Sequence, residues 1–205
     1  MATLQLSEAD QARVADAVAR VEAGSGAEVV CVLARRSEDF RLVGVAWAGA
    51  LALLVPWPLL LTPWAVTTIL TVQMLLYLAL SLLLVSTPAL QWVTPRAWQR
   101  REAAQVAREQ FLAQGLHRTH GRVGVLLFVS LAEHHAEIIA DVGLDGRVAP
   151  TVWQQAVALL TQAARDGRLA DGVVAALDHL APVLATACPR GADDSDELPN
   201  LPVLM

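Results

Sequence analysis

The chain has 205 residues, a net charge of −5 and an apolar fraction of 55%, above the ~45–50% typical of soluble domains. The net charge is acidic, and the sequence has no basic stripe interleaved with aromatic residues. Its electrostatics therefore give no reason to expect nucleic-acid binding. The apolar excess is concentrated between Arg41 and Arg96, where there is no Asp, Glu, Lys, Arg or His. The rest has ordinary globular composition and is long enough for one domain with a core.

The N-terminal segment has no apolar core region, so we expect no cleaved secretory signal. Ser7 is typical of a helix N-cap, with Asp10 at the capping-box position. Apolar residues then recur at helical spacing, and the glycines and serine at 24–26 predict the end of this helix. Residues 28–33 form a short run rich in β-branched side chains, which predicts a central strand.

The uncharged segment, residues 42–95, is long enough for two membrane-spanning helices, because a bilayer core needs about 20 apolar residues per helix. We predict spans at 42–61 and 64–85, joined by a short turn whose prolines break the helix. Gln73 is the one strongly polar side chain of the second span; it either bonds a neighbouring helix or is simply tolerated. A hairpin buried in a soluble core is the alternative, but too little chain remains to cover it.

Arginines lie on both flanks of the uncharged segment and are missing from its turn. Those before it are Arg35, Arg36 and Arg41, and those after it are Arg96, Arg100 and Arg101. The positive-inside rule then predicts an inner (plasma) membrane protein with both termini and the soluble domain in the cytoplasm. Cys31 and Cys188 fall in separate apolar runs, so we expect reduced, buried thiols, with a disulfide as the alternative.

Three elements are predicted directly after the uncharged segment. An amphipathic helix from Arg96 ends near Gly115, with Ala104, Ala107, Phe111 and Leu112 on one face. Residues 122–131 and 136–142 then read as two strands, joined as a hairpin through a turn at 132–135.

Two further helices are predicted towards the C-terminus. Pro150 suits the first turn of a helix whose inner face carries Trp153, Val157 and Leu160. A last helix begins near 171–172 and runs through Leu180, and Pro182 is expected to bend or interrupt it. The residues from 190 onwards are polar and acidic, which indicates a loosely ordered tail.

The order of elements is helix, strand, membrane hairpin, helix, strand, strand, helix, helix. This order predicts an α/β fold in which helices sandwich a small mixed β-sheet. The domain is discontinuous, with residues 1–41 and 96–205 forming the α/β part and residues 42–95 inserted as a two-helix transmembrane hairpin.

In its soluble part, at ~5–35 and ~96–200, the chain resembles the TPM domain family. The matching segments are residues 26–28, 122–126, 138–144, Trp153, 171–172 and 196–200. The resemblance implies an α/β sandwich, and members of the family are associated with acid phosphatase activity, calcium binding and photosystem II repair. The expected layout departs from the common one, because we expect no signal peptide and predict the membrane segment inside the domain.

Acidic residues are the candidates for chemistry. Glu28 begins a predicted strand, Asp141 ends another, and Asp171 begins a helix, so their ends are expected to meet at one rim of the sheet. Together with Asp145 in the adjacent turn they would suit Ca²⁺ or Mg²⁺, which prefer oxygen ligands. The resemblance supports this, because the matching family positions line an acidic cleft. The structural alternatives are a solvated strand start for Glu28, turn hydrogen bonds for Asp141 and a helix N-cap for Asp171.

No catalytic residue can be named from the sequence. The histidines fall in loops without zinc-ligand spacing, and no serine has nucleophile-elbow context. We therefore expect a cytoplasm-facing accessory module that binds other membrane proteins or itself, with the lipid bilayer as its surroundings. The alternative is a metal-dependent, phosphatase-like hydrolase using Glu28, Asp141 and Asp171. A transporter or channel is a third alternative, and the sequence disfavours it because two featureless apolar helices offer no ion pathway unless they oligomerise.

Overall fold

The structure is a computed structural model, and it describes residues 6–35, 41–86, 96–133, 135–191 and 198–205. It divides into two compact units. Residues 1–37 and 100–205 form an α/β unit, and residues 38–99 form a hairpin unit. Arg36, His134 in the predicted turn and the predicted acidic tail at 193–197 lie outside the described residues.

The α/β unit is built on a four-stranded mixed sheet. Its strands are β1 (Glu28–Ala34), β2 (Gly124–Ser130), β3 (His135–Ala140) and β4 (Val203–Leu204), in the order β3-β2-β1-β4. β1 pairs in parallel with β2 and β4, while β2 and β3 form the predicted antiparallel hairpin. The prediction of a small mixed sheet is therefore confirmed. β4 was not predicted, because a two-residue strand carries no periodic signal.

Three helices cover one face of the sheet. They are α1 (Glu8–Gly24), α6 (Pro150–Arg165) and α7 (Leu169–Ala187). Their inner faces contribute fully buried side chains to the core on this side of the sheet, among them Val14, Val18, Leu160 and Leu177. As predicted, the Ser7 hydroxyl caps α1 by accepting the Asp10 N–H, and Pro150 opens α6. Both terminal signals could be read from the sequence because they depend only on neighbouring backbone groups.

Helix α5 (Arg96–Ala113) covers the opposite face. Ala103, Ala107 and Phe111 are its buried residues and pack on Leu126 and Phe128 of β2. The predicted inner face was partly wrong, because Leu112 is 58% exposed. The helix packs along the row of residues spaced four apart, which turns Leu112 outwards. With helices on both faces, β1 and β2 are buried along their whole length, as their unbroken apolar sequences indicate.

Several predicted boundaries move by a few residues. Short 3₁₀ helices at 116–118, 120–122 and 142–144 delay the start of β2 to Gly124 and end β3 at Ala140. Of the two effects expected of Pro182, a bend or an interruption, the interruption was wrong, since α7 is continuous from Leu169 to Ala187. Cys31 and Cys188 are both buried and are not joined by a disulfide, which confirms the expectation of separate thiols.

The hairpin unit contains α2 (Arg41–Leu54), the single turn α3 (Pro56–Leu59) and α4 (Val66–Ser86). Among the described residues, two helices are long and apolar enough to cross a membrane by length and composition: Val66–Val85 within α4, and α7. α7 is a core helix of the α/β unit, packed on α1 and α6. The first predicted span is represented by the shorter apolar segment Gly44–Leu59.

Candidate functional site

One edge of the sheet brings together the ends of three strands. β1 and β2 begin here and β3 ends here; Glu28 lies opposite Gly124, and the Asp141 N–H donates to the Gly124 carbonyl at 2.9 Å. We call the surface formed by Glu28, Gly124, Asp141 and Arg122 the Asp141 edge. Two of the predicted acidic residues therefore share one edge, as the topology argument from the sequence expected.

The Asp141 carboxylate is held by Arg122. Arg122 Nε donates to Oδ2 at 2.6 Å and Arg122 Nη2 donates to Oδ1 at 3.0 Å, which is the two-pronged geometry that makes such pairs strong. The Val142 N–H donates to Oδ1 at 2.8 Å, so Asp141 also fills the turn role considered for it. The hydrogen bonds from Arg122 have the largest effect on the pKa of Asp141. Together with the Val142 N–H they hold it below its usual value, although burial opposes them.

The backbone at Arg122 is unusual. Its φ is +56°, a left-handed conformation that a non-glycine residue adopts only when its surroundings impose it. Gly143 packs directly on this segment, and a Cβ at Gly143 would collide with the carbonyl oxygens of Gly121 and Arg122. The close approach of two loops therefore fixes Arg122 beside Asp141.

Glu28 and Asp145 have different environments at this edge. Glu28 is 7% exposed, so the alternative of a solvated strand start was wrong. Glu28 and Asp141 lie two strands apart, which corresponds to about 10 Å between their backbones. Asp145 is exposed on the turn after the 3₁₀ helix at 142–144.

Asp171 lies far from the Asp141 edge. The Cys188 carbonyl, just after the C-terminus of α7, accepts the Gly26 N–H near the start of β1. Asp171 is in the first turn of the same helix, about 24 Å away along its axis. Its carboxylate accepts a hydrogen bond from Arg13 of α1 at 2.6 Å, and Arg168, rather than Asp171, is the N-cap residue.

The predicted carboxylates therefore do not form one donor set in this structure. Within the ranges that the structure describes, no group of three or more His, Cys, Asp or Glu residues is placed to hold a metal ion. Asp141 is already engaged by a cationic guanidinium, which repels a divalent cation. Binding of Ca²⁺ or Mg²⁺ by Glu28 and Asp141 stays a prediction, and it requires Arg122 to move away.

Sequence reasoning missed a second buried polar group at the opposite edge. The Ser130 hydroxyl donates to the Glu133 carboxylate, and both residues are buried. His135, opposite Ser130 on β3, contacts the Glu137 carboxylate at 3.1 Å. The sequence assigned these residues to strands or a turn, and only the placement of His135 opposite Ser130 depends on the sheet register.

A comparison with protein families finds one match that includes most of these residues. Residues 86–183 match the family model of the TPM domain. The matched segment contains Arg122, Asp141, Asp145 and Asp171, while Glu28 lies before it. The match covers just under half of the chain, and it includes α5, β2, β3, α6 and most of α7.

The fold is similar to the NMR structure of the BA42 protein from the psychrophilic bacterium Bizionia argentinensis. The TM-score is 0.63 at 16% sequence identity, and the likeness covers 100% of both chains. At this identity the likeness shows the fold alone, and it confirms the predicted α/β architecture. No curated protein matches the sequence.

Proposed function

We propose that this chain is a TPM-domain protein anchored in a bacterial inner membrane by its hairpin unit, with both termini and the α/β unit in the cytoplasm. In this proposal the α/β unit is an accessory module that binds other membrane proteins. The match of the TPM domain to residues 86–183 supports the family assignment.

The observation that carries the proposal is the surface of the hairpin unit. Leu61 is 90% exposed, Trp57 73% and Leu82 72%. Burying such side chains in hydrocarbon is favourable by about 25 cal/mol per Å² of apolar surface, and leaving them in water forgoes that free energy. α4 is about 31 Å long, which matches the ~30 Å hydrocarbon thickness, and α2 with α3 reaches about 27 Å.

The flanking charges support the orientation. Arg35, Arg36 and Arg41 precede the hairpin and Arg96, Arg100 and Arg101 follow it, while residues 42–95 carry no charge. Cytoplasmic loops are enriched in such residues, so the arginine-free turn is the end that crosses the membrane.

The polar groups of the α/β unit favour binding over catalysis. Asp141 is occupied by Arg122, and Asp171 pairs with Arg13 at the far end of α7. Ser130, which contacts a carboxylate, is 1% exposed and closed to a substrate.

Anchoring and orientation are tested together on the full-length chain. We expect the chain to stay in membranes through alkaline carbonate extraction. A reporter at the C-terminus should be active only in the cytoplasm, and a reporter inserted at Thr62 only on the other side. Release by carbonate contradicts the anchoring, and C-terminal activity outside the cytoplasm contradicts the orientation.

The accessory role is tested by affinity purification from native membranes in a gentle detergent. A partner recovered with the wild-type chain should be lost or weakened with Arg122→Gln, which alters the Asp141 edge. Arg168→Gln is the matched control, because Arg168 is exposed and pairs with nearby Asp166. Recovery of no membrane protein above background counts against the role.

The alternative of a metal-dependent phosphohydrolase is supported by one observation, the common edge of Glu28 and Asp141. It is tested by hydrolysis of p-nitrophenyl phosphate with Mg²⁺ or Ca²⁺. Equal rates for the wild type and Asp141→Asn exclude it.

A further inference from the structure

The hairpin unit carries an open groove of about 480 Å³ between α2 and α4. Its lining includes Gly49, Ala52, Leu70, Gln73, Met74 and Tyr77. Gly49 and Ala52 lie on α2, and their small size leaves the groove open. The larger side chains of α4 form its wall. Small residues on a membrane helix allow a second helix to approach closely.

Two polar groups of this apolar groove have no hydrogen bond. Neither the Gln73 amide nor the Tyr77 hydroxyl is bonded by any residue in the described part of the chain. The Thr71 hydroxyl, by contrast, donates to the Thr67 carbonyl at 2.8 Å on its own helix. Gln73 therefore retains two N–H donors and a carbonyl acceptor.

The depth of Gln73 makes its unbonded amide costly in a bilayer. It lies about 10 Å from the start of α4 and about 20 Å from its end, so it falls inside the hydrocarbon region instead of at either interface. Polar groups there are expensive to leave unpaired, and they bond neighbouring helices.

We infer that two copies of this chain associate in the membrane through the groove, with Gln73 of one copy bonded to Gln73 of the other. The inference rests on the proposed membrane anchoring. Two copies inserted with the same orientation place their Gln73 residues at the same depth. A different partner would need a polar residue of its own at that depth. An amide is self-complementary, because each can donate an N–H to the carbonyl of the other, as a two-fold symmetric interface requires.

The test uses the full-length chain, labelled with donor and acceptor dyes and reconstituted in phosphatidylcholine vesicles. Energy transfer should fall as lipid is added at constant protein, which reports dissociation. Gln73→Leu should weaken association roughly tenfold, as expected for two interhelical hydrogen bonds. Thr71→Val is the matched control and should leave association unchanged, because its hydroxyl is satisfied within α4.

Cross-linking in native membranes adds a positional readout. Gln73→Cys should form a disulfide between copies under mild oxidation, whereas Leu75→Cys, about 200° away around α4, should not. Gly49→Leu, which fills the groove, should reduce the cross-link. The native cysteines do not interfere, because both are buried in the α/β unit.

The outcomes separate this inference from the proposed function. A chain that resists carbonate extraction but stays monomeric at every lipid ratio overturns only the pairing. Unchanged association of Gln73→Leu, or a Gln73→Cys cross-link to another protein alone, also overturns it. Extraction by carbonate overturns both the anchoring and the pairing.

Discussion

Gly143 packs so closely on Arg122 that any side chain at position 143 would displace the Arg122 carbonyl. This contact holds Arg122 in its left-handed conformation, and its guanidinium then reaches Asp141 across 19 positions of sequence. The arrangement of the Asp141 edge therefore depends on Gly143, a residue that has no side chain.

Replacing this glycine should destabilise the α/β unit. We expect Gly143→Ala to lower the free energy of unfolding by about 3 kcal/mol, because the new Cβ meets backbone atoms that cannot turn aside. Gly24→Ala is the control, since no atom lies within 4 Å of a Cβ at that position. The check is denaturant unfolding of the detergent-solubilised chain, and equal stabilities of the two variants would contradict the packing argument.

The Asp141 carboxylate should contribute stability that depends on pH. Its pKa is lowered by Arg122 in the folded state, so the contribution is complete above its unfolded value of about 3.9 and is lost as the pH falls through the folded value. Asp141→Asn should cost about 2 kcal/mol at pH 7, and the difference from wild type should shrink at pH 3. Thermal unfolding at both pH values measures this.

Asp145→Asn is the matched control for that experiment. Asp145 lies on the same turn but is exposed, and its carboxylate makes no hydrogen bond within the part of the chain that the structure describes. A pH response as large for Asp145→Asn as for Asp141→Asn would show that general surface charge is responsible.

Binding of a divalent cation at the Asp141 edge should be limited by Arg122. If Ca²⁺ or Mg²⁺ uses Glu28 and Asp141, it has to displace the guanidinium, so Arg122→Gln should tighten binding roughly tenfold. Asp171→Asn should leave binding unchanged, because that carboxylate pairs with Arg13 at the other end of α7. Isothermal titration of the wild type, Arg122→Gln and Asp171→Asn with the cation measures these affinities. Binding that needs Asp171 would contradict the placement of this residue.

Cys31 should be an inert thiol in the folded protein. Burial raises its pKa to about 12, and the negative charge of Glu22 adds to the effect. In a Cys188→Ala background we therefore expect no reaction with Ellman's reagent at pH 8 until the chain is unfolded. Rapid reaction of the folded chain would show that the core around β1 opens readily.

Much of the fold could be predicted because its signals are local. The unbroken apolar runs of β1 and β2, the cap at Ser7 and the proline that opens α6 each depend on residues close in sequence. β4 could not be predicted, because Val203 and Leu204 become a strand only by pairing with β1.

The candidate site was predicted less completely, for a geometric reason. Glu28 and Asp141 follow from the strand order, which places both at one edge. Asp171 does not join them because α1 and α7 are parallel, with Arg13 bonded to Asp171 and Arg20 to Asp178 along their length. The direction of a helix across a sheet is a tertiary property, and the partnership of Arg122 with Asp141 likewise depends on two loops meeting.

The position of β1 has a consequence for how the protein is made. Both of its neighbours in the sheet are synthesised later: β2 begins 96 positions after Glu28, and β4 is made later still. While the apolar hairpin emerges from the ribosome, β1 has two open edges that invite pairing with other chains. During translation β1 therefore stays without its complete set of sheet partners until residue 204 has been made.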